Sequence, residues 1–116
     1  MVMRNIPREE WETFFDRFTR ENRHKPVSVA KTDLQDGLRI AERITPLLRV
    51  NHDAAAHRIS ITIGEPSGEV THTVVDPDSV AIEEPGETDE EPQTAVHLTG
   101  GGQHLVVRLE RQHIHS

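Results

Sequence analysis

The sequence predicts an α+β fold: one N-terminal amphipathic helix packed on a strongly bent antiparallel sheet or partly open barrel of six to seven strands. Three observations predict it. The only Trp and all three Phe of the chain, Trp11, Phe14, Phe15 and Phe18, recur at helical spacing in one short stretch. After Pro26 the apolar period drops to two, the mark of strands with one buried face. Clusters of Gly, Pro, Asp and Ser then punctuate the chain at close spacing, as hairpin turns do. A length of 116 residues suits a single domain, 1–116, with one core.

The helix is expected over about 7–23. Trp11, Phe14, Phe15 and Phe18 follow the i, i+3, i+4, i+7 rule, and at about 100° per residue they share one face, extended by Pro7 and Asn22. Pro7 suits the first turn, Glu9 and Glu10 oppose the positive end of the helix dipole, and Arg20 and Arg23 meet the negative end. Asp16 and Arg20 form an i, i+4 pair. Pro26 cannot continue a helix and turns Lys25 away from helical angles, so the helix stops near Asn22 to His24.

A β meander is expected over about 27–111. Val27 and Val29 alternate with Ser28 and Ala30, a turn at Asp36-Gly37 follows, and Leu38 and Ile40 alternate with Arg39 and Ala41. Pro46 interrupts the next apolar run, making Leu47 to Val50 a bent continuation or a short edge segment. Ile59, Ile61 and Ile63 share one strand face and pair through Gly64 to Gly68 with Val70 to Val75. Val80 with Ile82, and Val96 with Leu98, read as short strands, and the chain turns through Gly100-Gly101-Gly102 into Leu105, Val107 and Leu109. Between them, residues 83–94 (EEPGETDEEPQT) hold six carboxylates, two prolines and no apolar residue, the composition of a mobile acidic loop.

Ile6-Pro7-Arg8-Glu9-Glu10-Trp11 with Phe14, Phe15 and Phe18, then Pro26-Val27-Ser28-Val29, Thr71-His72-Thr73-Val74 and Asp76-Pro77, resemble a small bacterial family, domain-of-unknown-function family 5335. The resemblance runs along most of the chain. It implies one small domain and brings no activity, so no catalytic or binding residue follows from it.

Composition removes several function classes. Thirteen Lys plus Arg against 20 Asp plus Glu give a formal charge of −7, unfavourable for a nucleic-acid backbone or an anionic membrane surface. The sheet has no ring on which a base or sugar could stack. No Cys is present, which excludes disulfides, thiolate catalysis and Cys-type zinc sites. No apolar run approaches the ~20 residues of a membrane span. The opening MVMRNIPREEWE lacks the apolar core of a signal peptide, so a cytoplasmic location is the expectation.

Eight histidines raise a metal site. His57, His72, His97, His104, His113 and His115 are the available ligands, and His113 and His115 share a face if the last strand extends that far. No HExxH or facial-triad spacing accompanies them, so scattered surface histidines are the plainer account. His72 differs, because it shares strand parity with Val70 and Val74 and is buried or half-buried if that face points inward. There it is either a hydrogen-bonded structural residue or a pH sensor. Asp76-Pro77-Asp78-Ser79 and the acidic loop lack calcium-loop spacing. The serines lack a nucleophile-elbow frame. Gly100-Gly101-Gly102 leads into a strand rather than a helix, unlike a phosphate loop.

The aromatic stripe has two readings: it fills a core that small β-branched residues leave under-filled, or it docks a protein partner or a second copy of the chain. Four exposed rings would form an unusual apolar patch, which favours the core. The functional expectation is a non-catalytic small interaction or accessory domain without a cofactor. The alternative is a His-based metal-binding protein or metal-dependent enzyme centred on His72 with His57, His97 and His104.

Overall fold

A computed structural model describes residues 2–33, 39–41, 44–65, 68–84 and 94–109. The chain opens with strand β1 (Val2–Ile6), makes a single 3-10 turn at Arg8–Glu10, and enters helix α1 (Trp11–Asn22). Eight further strands follow: β2 (Pro26–Asp33), β3 (Arg39–Ala41), β4 (Thr45–Asp53), β5 (Arg58–Glu65), β6 (Gly68–Val75), β7 (Pro77–Glu84), β8 (Ala95–Gly100) and β9 (Gln103–Leu109). The expected α+β class and antiparallel sheet are present. The count of six to seven strands is corrected to nine among the described residues.

Eight strands run in the order β1-β7-β8-β9-β2-β4-β5-β6, with β3 paired to β2 off that path. All pairings are antiparallel. The order is not a simple meander, since the last strand lies beside β2 and the first beside β7. Only Pro26↔Pro46 and Val27↔Thr45 join β2 to β4, so the sheet bends at this junction until β6 approaches β8 and β9. It does not close into a barrel: among the described residues the outer edges of β1 and β6 stay unpaired.

The helix fills the bend. Trp11, Phe14, Phe15, Phe18 and Asn22 are its buried residues, and the four rings join Val27, Val29, Leu47, Ile59, Ile61, Ile63, Val74, Val80, Leu98 and Leu105 in one core. Such rings bury large area where short branched side chains cannot meet. Trp11 Nε1–H donates to the Ile6 carbonyl at 2.9 Å, so its polar handle is satisfied inside the core. His52 packs its ring edge-on to Trp11 at 5.6 Å between centres. Thr19 locks α1 to β4: its hydroxyl accepts from the Val50 N–H at 3.0 Å and donates to the Val50 carbonyl at 3.3 Å. Backbone bonds from His24 N–H to the Leu47 carbonyl (2.6 Å) and from Leu47 N–H to the Lys25 carbonyl (2.9 Å) fix the chain leaving the helix.

Two further differences from the sequence reading have physical causes. β4 is a full strand through Pro46, because a register shift between Leu47 and Arg49 absorbs the break in alternation. Glu83 and Glu84 are the last residues of β7 rather than the start of an acidic loop; residues 85–93, the turn at 36–37 and the tail with His113 and His115 lie outside the described residues.

Candidate functional site

The helix covers one face of the sheet, and the opposite face of β7, β8, β9 and β2 carries a polar cluster built by register. The two-residue turn Gly101-Gly102 pairs Gly100 with Gln103, which sets Thr99 opposite His104 and His97 opposite Val106. His97 and His104 are therefore diagonal neighbours on one face, within reach of long side chains. Their ring nitrogens meet, His97 Nδ1 to His104 Nε2, at 3.0 Å. The ring centres are 5.3 Å apart, little more than that bond plus the two ring radii, so the imidazoles meet edge to edge.

Glu83 completes the cluster from β7. It pairs with Ala95, and Arg108 of β9 pairs with Ala95 from the other side. Because Ala95 is small and fully buried, the Glu83 and Arg108 side chains bridge over it, with Arg108 Nη1 3.3 Å from Glu83 Oε2. The Glu83 side chain is only 9 % exposed. Its Oε2 lies 3.9 Å from His97 Nε2, too far for a hydrogen bond but close enough to act electrostatically. His97 Nε2 is itself buried without a hydrogen-bond partner among the described residues.

These distances assign the protons. The 3.0 Å contact needs one N–H and one lone pair. The negative field of Glu83 favours the proton of His97 on Nε2, so His97 Nδ1 accepts and His104 Nε2–H donates. Burial pushes the pKa of His97 down, His104 and Arg108 push it the same way, and Glu83 opposes them. His97 is thus neutral at pH 7.

A pH dependence follows with a definite sign. The unfolded chain takes up this proton near the ordinary value of about 6.5 and the folded one only at lower pH. The contribution of His97 to stability is complete above that value and is lost as pH falls from it toward the folded pKa. Thermal unfolding between pH 8 and 5 should show a falling Tm below about pH 6.5, with a shallower fall in H97Q. Equal slopes for the two proteins would contradict this account.

The remaining sequence candidates do not join the cluster. His72 pairs with Ile61 on the inner face of β5 and β6 and is half-buried. His57 is exposed in the turn between β4 and β5, with a positive φ of 54° and its carbonyl accepting from the Asp76 N–H at 2.8 Å. A site centred on His72 with His57, His97 and His104 is therefore not assembled. Among the described residues no three His, Asp or Glu side chains converge as metal ligands would. Sequence reasoning missed Glu83 and Arg108. It also passed over His52, which is a packing residue beneath the helix.

A second feature lies on the helix side of the sheet. Two adjoining hollows of about 180 and 300 Å³ share Arg4, Phe14 and Arg17; the smaller lies between α1 and β1, and the larger continues inward between α1 and the face of β7 and β9. Ile6, Glu9, Glu10 and Thr13 line the smaller one, and Phe18, Glu21, Ile82, Glu84 and Leu109 the larger. Arg4 is tied to Glu84 at 3.0 Å.

The match to known proteins is at the level of family. Residues 2–114 fit the model of a family of unknown function, DUF5335. The chain belongs to that family. The helix stripe and the Thr71-His72-Thr73-Val74 segment had pointed to it. The DUF5335 region contains the helix, all nine strands, the outer-face cluster and the groove. No match was found among curated proteins or among solved structures. Among the described residues no helix is long and apolar enough to cross a membrane.

Proposed function

We propose that this protein is a non-catalytic interaction domain that receives an extended segment of a partner protein along β1. The observation that carries the reading is the coincidence of an unpaired strand edge with a groove. Among the described residues β1 pairs only with β7, and the hollows beside it are floored by Ile6, Phe14, Phe18, Ile82 and Leu109. A segment added to such an edge gains main-chain hydrogen bonds, and its alternate side chains enter the groove to give specificity. Glu9 and Glu10 line the smaller hollow together with Arg4 and Arg17, so the local charges balance, and the net charge of −7 is what favours a partner segment in which an apolar residue neighbours Lys or Arg. The same charge and the lack of Phe, Tyr and Trp in the described strands support a protein partner over a nucleic acid.

Selection of a random peptide phage library on the folded protein, followed by NMR mapping of the selected peptides, tests this. Peptides alternating apolar and basic residues should shift β1 and α1 amides, and T13W, which fills the smaller hollow, should weaken them at least tenfold. Failure to select any peptide, or binders that map to another face and ignore T13W, would overturn the reading.

A further inference from the structure

We propose that His97 and His104 form a binding site for a divalent transition-metal ion, copper(II) held more tightly than zinc(II). The site is on the opposite face of the sheet from the groove, and the inference is independent of the interaction reading.

The first argument is distance. Two imidazole nitrogens that bind one ion at about 2.0–2.1 Å stand about 3.3 Å apart at a tetrahedral angle and about 2.9 Å apart at the right angle of a tetragonal copper(II) site. His97 Nδ1 and His104 Nε2 stand at 3.0 Å, close enough to share an ion once each ring turns to aim its lone pair at a point beside the line between them. The strands need not move.

The second argument is the group behind the ligand. A metal-binding histidine commonly turns its other ring nitrogen toward a carboxylate, which fixes the tautomer and raises the basicity of the ligating nitrogen. Glu83 Oε2 stands at that position, 3.9 Å from His97 Nε2, and Arg108 holds the carboxylate in turn at 3.3 Å. An acidic side chain only 9 % exposed beside a half-buried histidine is costly to maintain for surface solubility alone. Here it keeps the Nδ1 lone pair of His97 directed at His104.

Proton accounting is simple. The ion takes the place of the hydrogen bond: His104 gives up its Nε2 proton to solvent and takes one at Nδ1, remaining neutral, while His97 keeps its proton on Nε2. No net proton is released. Two imidazoles suit borderline cations, and for nitrogen ligands copper(II) binds above zinc(II) in the divalent series. With two protein ligands among the described residues, water completes the coordination, and affinity is lower than that of a closed four-ligand zinc site.

The test is calorimetric titration of the full chain, without an affinity tag, with copper(II) and with zinc(II) chloride, alongside NMR of the histidine rings. One ion per chain should bind, copper(II) more tightly, with paramagnetic broadening confined to His97, His104 and their strand neighbours. H104Q should abolish this binding and E83Q should weaken it by about 10- to 100-fold, while H72Q and H57Q leave it unchanged. The H113Q/H115Q double variant separates the site from the tail. Retained binding there supports the proposal, whereas loss there with retention in H104Q overturns it. In the metal-free protein, ring nitrogen shifts should place the His97 proton on Nε2. A proton on Nδ1, insensitive to E83Q, would also overturn it, and this readout does not depend on how well any histidine variant folds.

Discussion

Phe15→Ala is expected to remove about 3–5 kcal/mol of stability, a large share of the ~5–15 kcal/mol available to a domain. Phe15 is 1 % exposed and lies at the centre of the aromatic group. Its ring meets Phe14 edge to face at 5.2 Å, and His52 lies at 6.4 Å on the strand beneath. Removing the ring leaves a void that the sheet cannot collapse to fill, because α1 is held to β4 by the two bonds of Thr19 and by the backbone bonds at His24 and Leu47. The lost transfer energy and the residual cavity therefore add. Urea unfolding followed by Trp11 fluorescence measures the difference, and a corresponding Tm drop of more than about 10 °C is expected. Phe14→Ala and Phe18→Ala should cost less, since both rings also face the groove. Trp11, 1 % exposed, should emit at blue-shifted wavelength at any protein concentration. A Phe15→Ala loss below ~1 kcal/mol, within the range of ordinary substitutions, or water-like emission at high dilution, would contradict a core role for the stripe.

The helix was legible because its four rings and Asn22 obey one period, and burial follows that period residue by residue. The strands with a clean alternation were equally legible: Ile59, Ile61 and Ile63 are all buried, as are Val27 and Val29, and Leu105 and Val107. The strands that escaped detection or were read only in part are those in which alternation is disguised. β1 places Arg4 on the same face as Ile6, opposite Ile82, and answers that charge with Glu84, so Val2 to Ile6 carries no apolar stripe. β4 has its period broken by the shift after Leu47.

The site divides in the same way. The meeting of His97 and His104 is a property of one hairpin: once Gly101 and Gly102 are taken as a two-residue turn, counting outward puts the two histidines diagonal to each other on one face. Glu83 belongs to a different strand pair, and its acidic successors make it read as loop. Only the pairing of β7 with β8 brings it beside His97. Side chains from one hairpin can be placed by parity, whereas those from different hairpins depend on a register that distant packing sets.

Gly100→Ala should be the most damaging single-methyl change in the strands, at the upper end of the ~1–3 kcal/mol typical of overpacking or beyond it. A Cβ there would lie 2.5 Å from the Asp76 carbonyl oxygen and 2.5 Å from Pro77 Cα, and both are backbone atoms that no rotamer change can move. Nor can the segment retreat as a whole. Asp76 has a positive φ of 50°, its N–H donates to the His57 carbonyl at 2.8 Å, and Arg8 donates to the Pro77 carbonyl at 3.0 Å. The register shift between Pro77 and Ser79 is what presses this corner onto β8, so the clash must be relieved by β8 moving away. Because Gly100 precedes the turn that sets the His97 and His104 register, that movement should also weaken their 3.0 Å contact. Gly102→Ala is the informative comparison: its φ is +76° but nothing lies within 4 Å of the added methyl, so only left-handed strain of about 1–2 kcal/mol is incurred. Urea unfolding of the two variants, with histidine ring spectra of each, should rank G100A well below G102A and show a perturbed His97 signal only in G100A. An equal or reversed ranking would mean that the Asp76-Pro77 corner yields, and that the hairpin carrying the histidines is not held by it.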